Sequence, residues 1–158
     1  MRGNEKIIAH LNEVLKAELT AINQYFLHAE MCENWGYEKL ANYGRKESID
    51  EMRHAEKCME RILFLDGTPT MTELFPLRIG QNVKEQLQND LNLELEAIPR
   101  LNSAIKTAVE VGDNGSRELF EAILVDEEHH ADWLEAQLHL IGEIGYENYL
   151  AQQLNKED

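Results

Sequence analysis

The chain is poor in what most alternative architectures need. Only two cysteines, Cys32 and Cys58, occur in 158 residues, too few and too far apart for a zinc ribbon or a disulfide framework. They read as small apolar side chains in a reducing compartment. With only three prolines, long stretches carry no break, and abundant Leu, Glu, Ala and Gln favour helix. Basic residues are scarce too: 15 Lys and Arg face 30 Asp and Glu, a formal net charge of -15. Neutralising phosphates requires stripes of Lys and Arg, so nucleic acid is excluded as a natural partner, whereas the acidity suits cations. No apolar run approaches the length of a membrane span, and residues 1–18 mix charge throughout without the apolar stretch of a secretory signal. The expected location is therefore the cytoplasm, with no membrane partner.

What is present is enough apolar residue, 43%, to bury one core, and residues 1–158 are expected to form a single domain. From about Asn4 to Asn34 the residues Leu11, Leu15, Glu18, Ile22, Tyr25 and Ala29 recur at alternating spacings of four and three, one face of an amphipathic helix. Asn34-Trp35-Gly36 ends it, with glycine just past the C-terminus. A second helix is expected over about 37–65, its stripe being Leu40, Glu47, Glu51, His54, Cys58, Ile62 and Leu65. Between Asp66 and Gln81 the pattern stops at Gly67, Pro69, Pro76 and Gly80. A helix of about 28 residues is about 42 Å long, and some sixteen extended residues reach that far. The loop can therefore cross the bundle end to end and make its flanking helices parallel.

A third helix, over about 82–111, carries Leu87, Leu91, Glu94, Ile98, Leu101 and Ile105 on its stripe, with Pro99 expected to kink or strain it. After the turn Gly112-Asp113-Asn114-Gly115, Ser116 is a candidate N-cap for a fourth helix reaching about Gly142. Its stripe is Phe120, Ile123, Glu127, His130, Leu134, Leu138 and Ile141. Residues 146–154 suggest a short fifth helix. The fold class is all-α, a four-helix bundle.

Within these stripes one polar pattern repeats. Glu51 and His54 form an ExxH pair, as do Glu127 and His130, and each pair has a lone glutamate 33 positions upstream, Glu18 and Glu94. The two sets are offset by 76 residues. In an antiparallel hairpin, residues equidistant from the turn lie side by side. The midpoint of Glu18 and Glu51 falls at Asn34-Trp35-Gly36, and that of Glu94 and His130 at Gly112. Each hairpin thus sets its glutamate and its ExxH at one height, and two packed hairpins converge four carboxylates and two imidazoles in one layer.

Burying four uncompensated carboxylates costs several kcal/mol each, and no Lys or Arg lies in the stripes at that level. Two divalent cations would neutralise them. Four glutamates and two histidines without thiolate favour iron or manganese over structural zinc, the donor set of carboxylate-bridged two-metal bundles. Glu51 and Glu127 are assigned as bridges, with Glu18 and His54 completing one metal site and Glu94 and His130 the other. His28 and His129 read as surface histidines. Met52, turned roughly 160° from His54 at 100° per residue, faces outward alongside Ile49 and Met59. Such a strip predicts a subunit contact. Across a two-fold axis each Met52 would meet its own copy, as an ordinary interface residue or as an axial ligand to haem iron.

Read in order, Glu18-Leu-Thr-Ala-Ile-Asn-Gln-Tyr-Phe-Leu-His28, Asn34-Trp35-Gly36, Glu47-Ser-Ile-Asp-Glu-Met-Arg-His54, Arg61-Ile-Leu-Phe-Leu65, Glu94-Leu-Glu96 and Asp126-Glu-Glu-His-His130 resemble the bacterioferritins in sequence and spacing, over essentially the whole chain. The resemblance implies a ferritin-like four-helix bundle assembled as a hollow 24-subunit homo-oligomer. It implies oxidation of Fe(II) by dioxygen or peroxide at a di-iron ferroxidase centre of two iron ions per subunit, with ferric mineral stored inside. The family's ligands fall on Glu18, Glu51, His54, Glu94, Glu127 and His130. Its haem methionine falls on Met52, so that haem b would be shared by two subunits and assist iron release, with a small ferredoxin as reductant. Tyr25 resembles the family's redox tyrosine, while also reading as a core aromatic bonded to a carboxylate. Some members carry an inner-surface iron site with an imidazole at the position of Lys46. Glu47 and Asp50 remain, but Lys46 departs from that pattern. A storage cage without haem, a discrete di-iron oxidase acting on an organic molecule, and a purely structural bundle are the competing readings.

Overall fold

Asn4, Asn82 and Asp113 each cap a helix with a side-chain oxygen, accepting from the backbone N–H of Lys6, Glu85 and Ser116 respectively. The helices they open are α1 (Glu5–Trp35), α3 (Val83–Val111) and α4 (Asn114–Ile144), while α2 (Glu38–Phe64) and the short α5 (Tyr146–Ala151) follow tight turns. The computed structural model describes residues 1–155, and among them there is no strand. The expectation of Ser116 as the α4 N-cap is corrected. Asp113 holds that position because its carboxylate takes both the backbone N–H and the hydroxyl of Ser116. The fourth helix also runs two residues past Gly142, and α3 continues through Pro99 without a break.

Gly36, at φ 88°, adopts the left-handed conformation that reverses the chain between α1 and α2, while the Tyr37 N–H returns to the Cys32 carbonyl. That turn makes α1 and α2 an antiparallel hairpin, and Gly112 does the same for α3 and α4. Ala21, Tyr25 and Leu93 form a small apolar cluster between α1 and α3, and two larger clusters bring the two hairpins together. One joins Ile7, Leu11 and Leu15 to Cys58, Ile62, Leu101, Phe120 and Ile123. The other joins Cys32, Leu40, Val83, Leu87, Leu134 and Ile141, and is closed by Tyr149 of α5. The start of α1 thus packs with the end of α3, and the end of α2 with the start of α4. Consequently α2 and α3 run parallel.

Two parallel helices consecutive in the chain need a connection spanning the bundle, and residues 65–82 supply it alongside α1. Successive α1 side chains hold the loop's backbone: Asn12 accepts from the Thr70 N–H, Thr20 from Phe75, Gln24 from Arg78, and His28 Nε2 from Gly80. These bonds satisfy a strand-like segment that has no sheet to join. At Gly80 the chain passes so close to α3 that an added Cβ would lie 2.3 Å from the Gln86 nitrogen. His28, expected at the surface, is buried at 4% exposure. Because a backbone N–H can only donate, its Nε2 accepts, and the ring proton on Nδ1 faces Asp90 Oδ1 at 2.9 Å.

Candidate metal centre

Between the two larger apolar clusters lies one polar layer, to which all four long helices contribute. Glu18 comes from α1, Glu51 and His54 from α2, Glu94 from α3, and Glu127 and His130 from α4, and each is at most 8% exposed. The ExxH spacing keeps Glu and His of one helix on the same side, because three residues fall just short of one turn. The six therefore face inward across a shared space.

Their distances divide them into two overlapping sets. Donor atoms of Glu18, Glu51, His54 and Glu127 lie within 4.8 Å of one another, as do those of Glu51, Glu94, Glu127 and His130. Glu51 and Glu127 belong to both. Glu51 Oε1 is 3.4 Å from Nδ1 of His54 and also 3.4 Å from Nδ1 of His130. Glu127 turns Oε1 toward His54 at 3.1 Å and Oε2 toward His130 at 3.8 Å. Each of the six residues has a buried atom without a hydrogen-bond partner: Glu18 Oε2, Glu51 Oε1, His54 Nδ1, Glu94 Oε2, Glu127 Oε1 and His130 Nδ1. Orphaned buried polar atoms are uncommon and costly, and six converging on one space fit a donor set for cations.

The electrostatics agree. Burial raises the carboxyls of Glu18, Glu51 and Glu94, and neighbouring carboxylates raise them further, Glu127 acting on Glu18 and Glu94, and Glu18 on Glu51. Burial works against charge on the imidazoles as well. For His54 the contacts of Glu127, Glu18 and Glu51 more than offset it, and for His130 those of Glu127, Glu47 and Glu94, so both are held above the ordinary histidine range. These shifts favour protonated Glu18, Glu51, Glu94 and imidazoles in the metal-free centre, and divalent cations would displace such protons. Four carboxylates with two imidazoles form a hard, anionic donor set suited to two such ions, and for iron it favours the higher charge state.

Tyr25 donates its hydroxyl to Glu94 Oε1. Burial and then the Glu94 charge push its phenol well up, which keeps it a neutral donor beside the centre. Both cysteines are buried, and burial pushes the Cys32 thiol up to about 12. On the opposite side of α2, Met52 and Ile49 project outward at 44% and 47% exposure. Met59, expected to extend that strip, is instead partly buried against the first of the larger apolar clusters, where its flexible side chain reaches the edge of the core.

The periodicity left two neighbours of the centre without a role. The outer nitrogen of His54, Nε2, is 2.8 Å from Asp126 Oδ2, and that of His130 is 2.6 Å from Glu47 Oε2. Both carboxylates border a groove of about 540 Å³ between α2 and α4, lined also by Tyr43, Asp50, Arg53 and the exposed His129. Asp126 could have been suspected from its place directly before Glu127, but by the same repeat so could Asp50, directly before Glu51. Glu47, Asp50 and His130 also bring donor atoms within 4.8 Å of one another. Lys46 is exposed and lines a neighbouring groove with Lys39 and Gln137.

Known proteins are similar to this chain in sequence over most of its length. A family model described as a ferritin-like domain matches residues 8–144. The chain is 54% identical over 151 residues to the bacterioferritin of Streptomyces coelicolor, covering 96% of this chain and 90% of that one. It is 50% identical over 156 residues to the bacterioferritin of Mycolicibacterium paratuberculosis, covering 99% and 98% of the two. To that of Brucella melitensis it is 46% identical over 149 residues, covering 94% and 92%.

Proposed function

Because the chain belongs to the ferritin-like family and, within it, to the bacterioferritins, we propose that it stores iron, oxidising Fe(II) at the buried centre and keeping ferric mineral in a hollow shell of 24 subunits. The observation that carries the reading is the pair of overlapping donor sets sharing Glu51 and Glu127, with six unpartnered atoms turned inward. Fe(II) is the substrate, and dioxygen or peroxide the oxidant.

In this reading Glu18 and His54 hold one ion, Glu94 and His130 the other, and Glu51 and Glu127 bridge them. Two bound irons would supply two one-electron couples side by side. The residues do the rest: their anionic oxygens favour the Fe(III) product, and bridging keeps the pair close enough to deliver two electrons to one oxidant. Protons held by the metal-free centre leave as Fe(II) enters. Tyr25, donating to Glu94, is proposed as a redox-active neighbour of the centre.

Met52 is proposed to ligate a haem b shared with a second copy of the chain across a two-fold axis. Its outward projection beside Ile49 supports this, since a thioether buried in the bundle could not meet its own copy. The haem would pass electrons inward from a small ferredoxin to release stored iron. Among the described residues no helix is long and apolar enough to cross a membrane, and the cytoplasm is the proposed location.

The test is to give the purified protein excess Fe(II) in air, pass it through a sizing column and follow iron, protein and haem absorbance together. Iron eluting with a very large protein peak, and a Soret band within it, is the expected result. Iron oxidised but not retained, on a small oligomer, would overturn storage in favour of a discrete di-iron enzyme.

A further inference from the structure

Resting on that reading of the centre, we infer that Glu47 and Asp126 are positioning residues that lock the two site imidazoles with Nδ1 aimed at the metals. The structure presents both rings in the same sense: Nδ1 faces inward without a partner, and Nε2 faces a carboxylate, hydrogen-bonded to Asp126 Oδ2 at 2.8 Å for His54 and, for His130, in a 2.6 Å ion-pair contact with Glu47 Oε2 that lies outside hydrogen-bond geometry. A neutral imidazole carries one ring proton, so placing it on Nε2 leaves the Nδ1 lone pair free for a cation. A carboxylate at Nε2 favours that tautomer, fixes the ring plane and makes Nδ1 more basic.

The internal repeat points elsewhere for one of the two. Asp126 precedes bridging Glu127, and its counterpart 76 residues earlier is Asp50, which precedes Glu51. Asp50 accepts instead from Arg53 Nη1 at 3.4 Å. Glu47, one turn before Glu51, takes the place beside His130. The two supports therefore differ in environment. The Glu47 side chain is 14% exposed and that of Asp126 56% exposed. Water can replace the Asp126 carboxylate far more readily than that of Glu47, so the larger effect is assigned to Glu47.

The experiment titrates the assembled, metal-free protein with Co(II) and follows the visible d–d absorption, alongside the thermal midpoint of each metal-free variant. Wild type is expected to take two equivalents per subunit. Glu47→Gln should weaken the second equivalent by about tenfold or more, and Asp126→Asn should weaken it by less. The band shape should change in each, with every metal-free variant still folded and assembled at the titration temperature. Glu47→Asp and Asp126→Glu should recover part of the affinity, and Glu128→Gln, at an exposed position of α4, should titrate like wild type. Wild-type affinity and spectrum in both Glu47→Gln and Asp126→Asn would overturn the positioning role. So would an equal loss in Glu128→Gln, which would reveal a general effect of nearby charge. Fewer than two equivalents in wild type would instead overturn the two-metal centre itself.

Discussion

His28 Nδ1 lies 2.9 Å from Asp90 Oδ1 across the α1–α3 interface, in a buried pair that also anchors the crossover loop. Gln24 Nε2 donates to the same Asp90 oxygen, and the Gly80 N–H donates to the far nitrogen of the His28 ring. Removing the imidazole would leave the buried Asp90 carboxylate with the Gln24 amide but without its histidine, and the Gly80 N–H without an acceptor. His28→Ala is expected to destabilise the metal-free protein by about 2–4 kcal/mol, read from the urea midpoint. An unchanged midpoint would mean that the loop is held by its other α1 contacts alone.

Glu51 Oε1 lies 3.4 Å from Nδ1 of both imidazoles, so it should matter to both ions, whereas Glu18 should matter to one. Glu51→Gln is expected to abolish paired metal uptake, and Glu18→Ala or His130→Ala to slow the initial rate of Fe(II) oxidation about tenfold or more while leaving assembly intact. A raised Glu51 carboxyl must take up a proton to be buried at neutral pH whereas an amide need not, so metal-free Glu51→Gln should be about 1 kcal/mol more stable than wild type there. Unchanged initial rates in both Glu18→Ala and His130→Ala would sink the ligand assignment.

The raised groups set the pH dependence of the metal-free protein. Carboxyls of Glu18, Glu51 and Glu94 titrate above their ordinary value of 4.5 when folded, so their contribution is fully present below that pH and is lost as pH rises through the raised values. His54 and His130 are raised from 6.5, and their contribution is likewise complete below 6.5 and lost above it. Both signs agree. Between pH 5 and 8 the metal-free protein should lose thermal stability as pH rises, while added divalent metal should stabilise it increasingly over the same span. Calorimetry with and without metal reads both trends, and a metal-free midpoint that climbs with pH would contradict them.

Met52 stands apart from the centre, on the exposed side of α2. Met52→Leu keeps the apolar volume but removes the thioether, and it is expected to abolish haem binding without stopping iron uptake. The Soret absorbance of the purified variant decides this. An unaltered haem spectrum would remove Met52 from that role.

The stripes of α1 to α4 were legible because burial on a helix leaves a period of 3.6 in the sequence, and a glutamate inside such a stripe is visible as an exception to it. The height of the polar layer was legible too, since a turn at Gly36 or Gly112 makes pairing across a hairpin a matter of counting. His28 was not, because its partner is 62 residues away and the charge it meets comes from another helix. The α4 cap was misread for a related reason. Ser116 and Asp113 are both good capping residues, and their mutual hydrogen bond decides which one leads.

The sequence by itself determined that four amphipathic helices would form, that the connection after α2 would run the length of the bundle, and that Glu18, Glu51, His54, Glu94, Glu127 and His130 would share one level. Each of these follows from local periodicity and chain counting. Only the tertiary structure decided which carboxylate stands behind each imidazole. Glu47 rather than Asp50 meets His130, and Asp126 meets His54 across 72 residues. Those choices depend on how α2 and α4 are rotated and spaced against each other. That rotation is set by packing in the two apolar clusters above and below the layer and leaves no period in the chain.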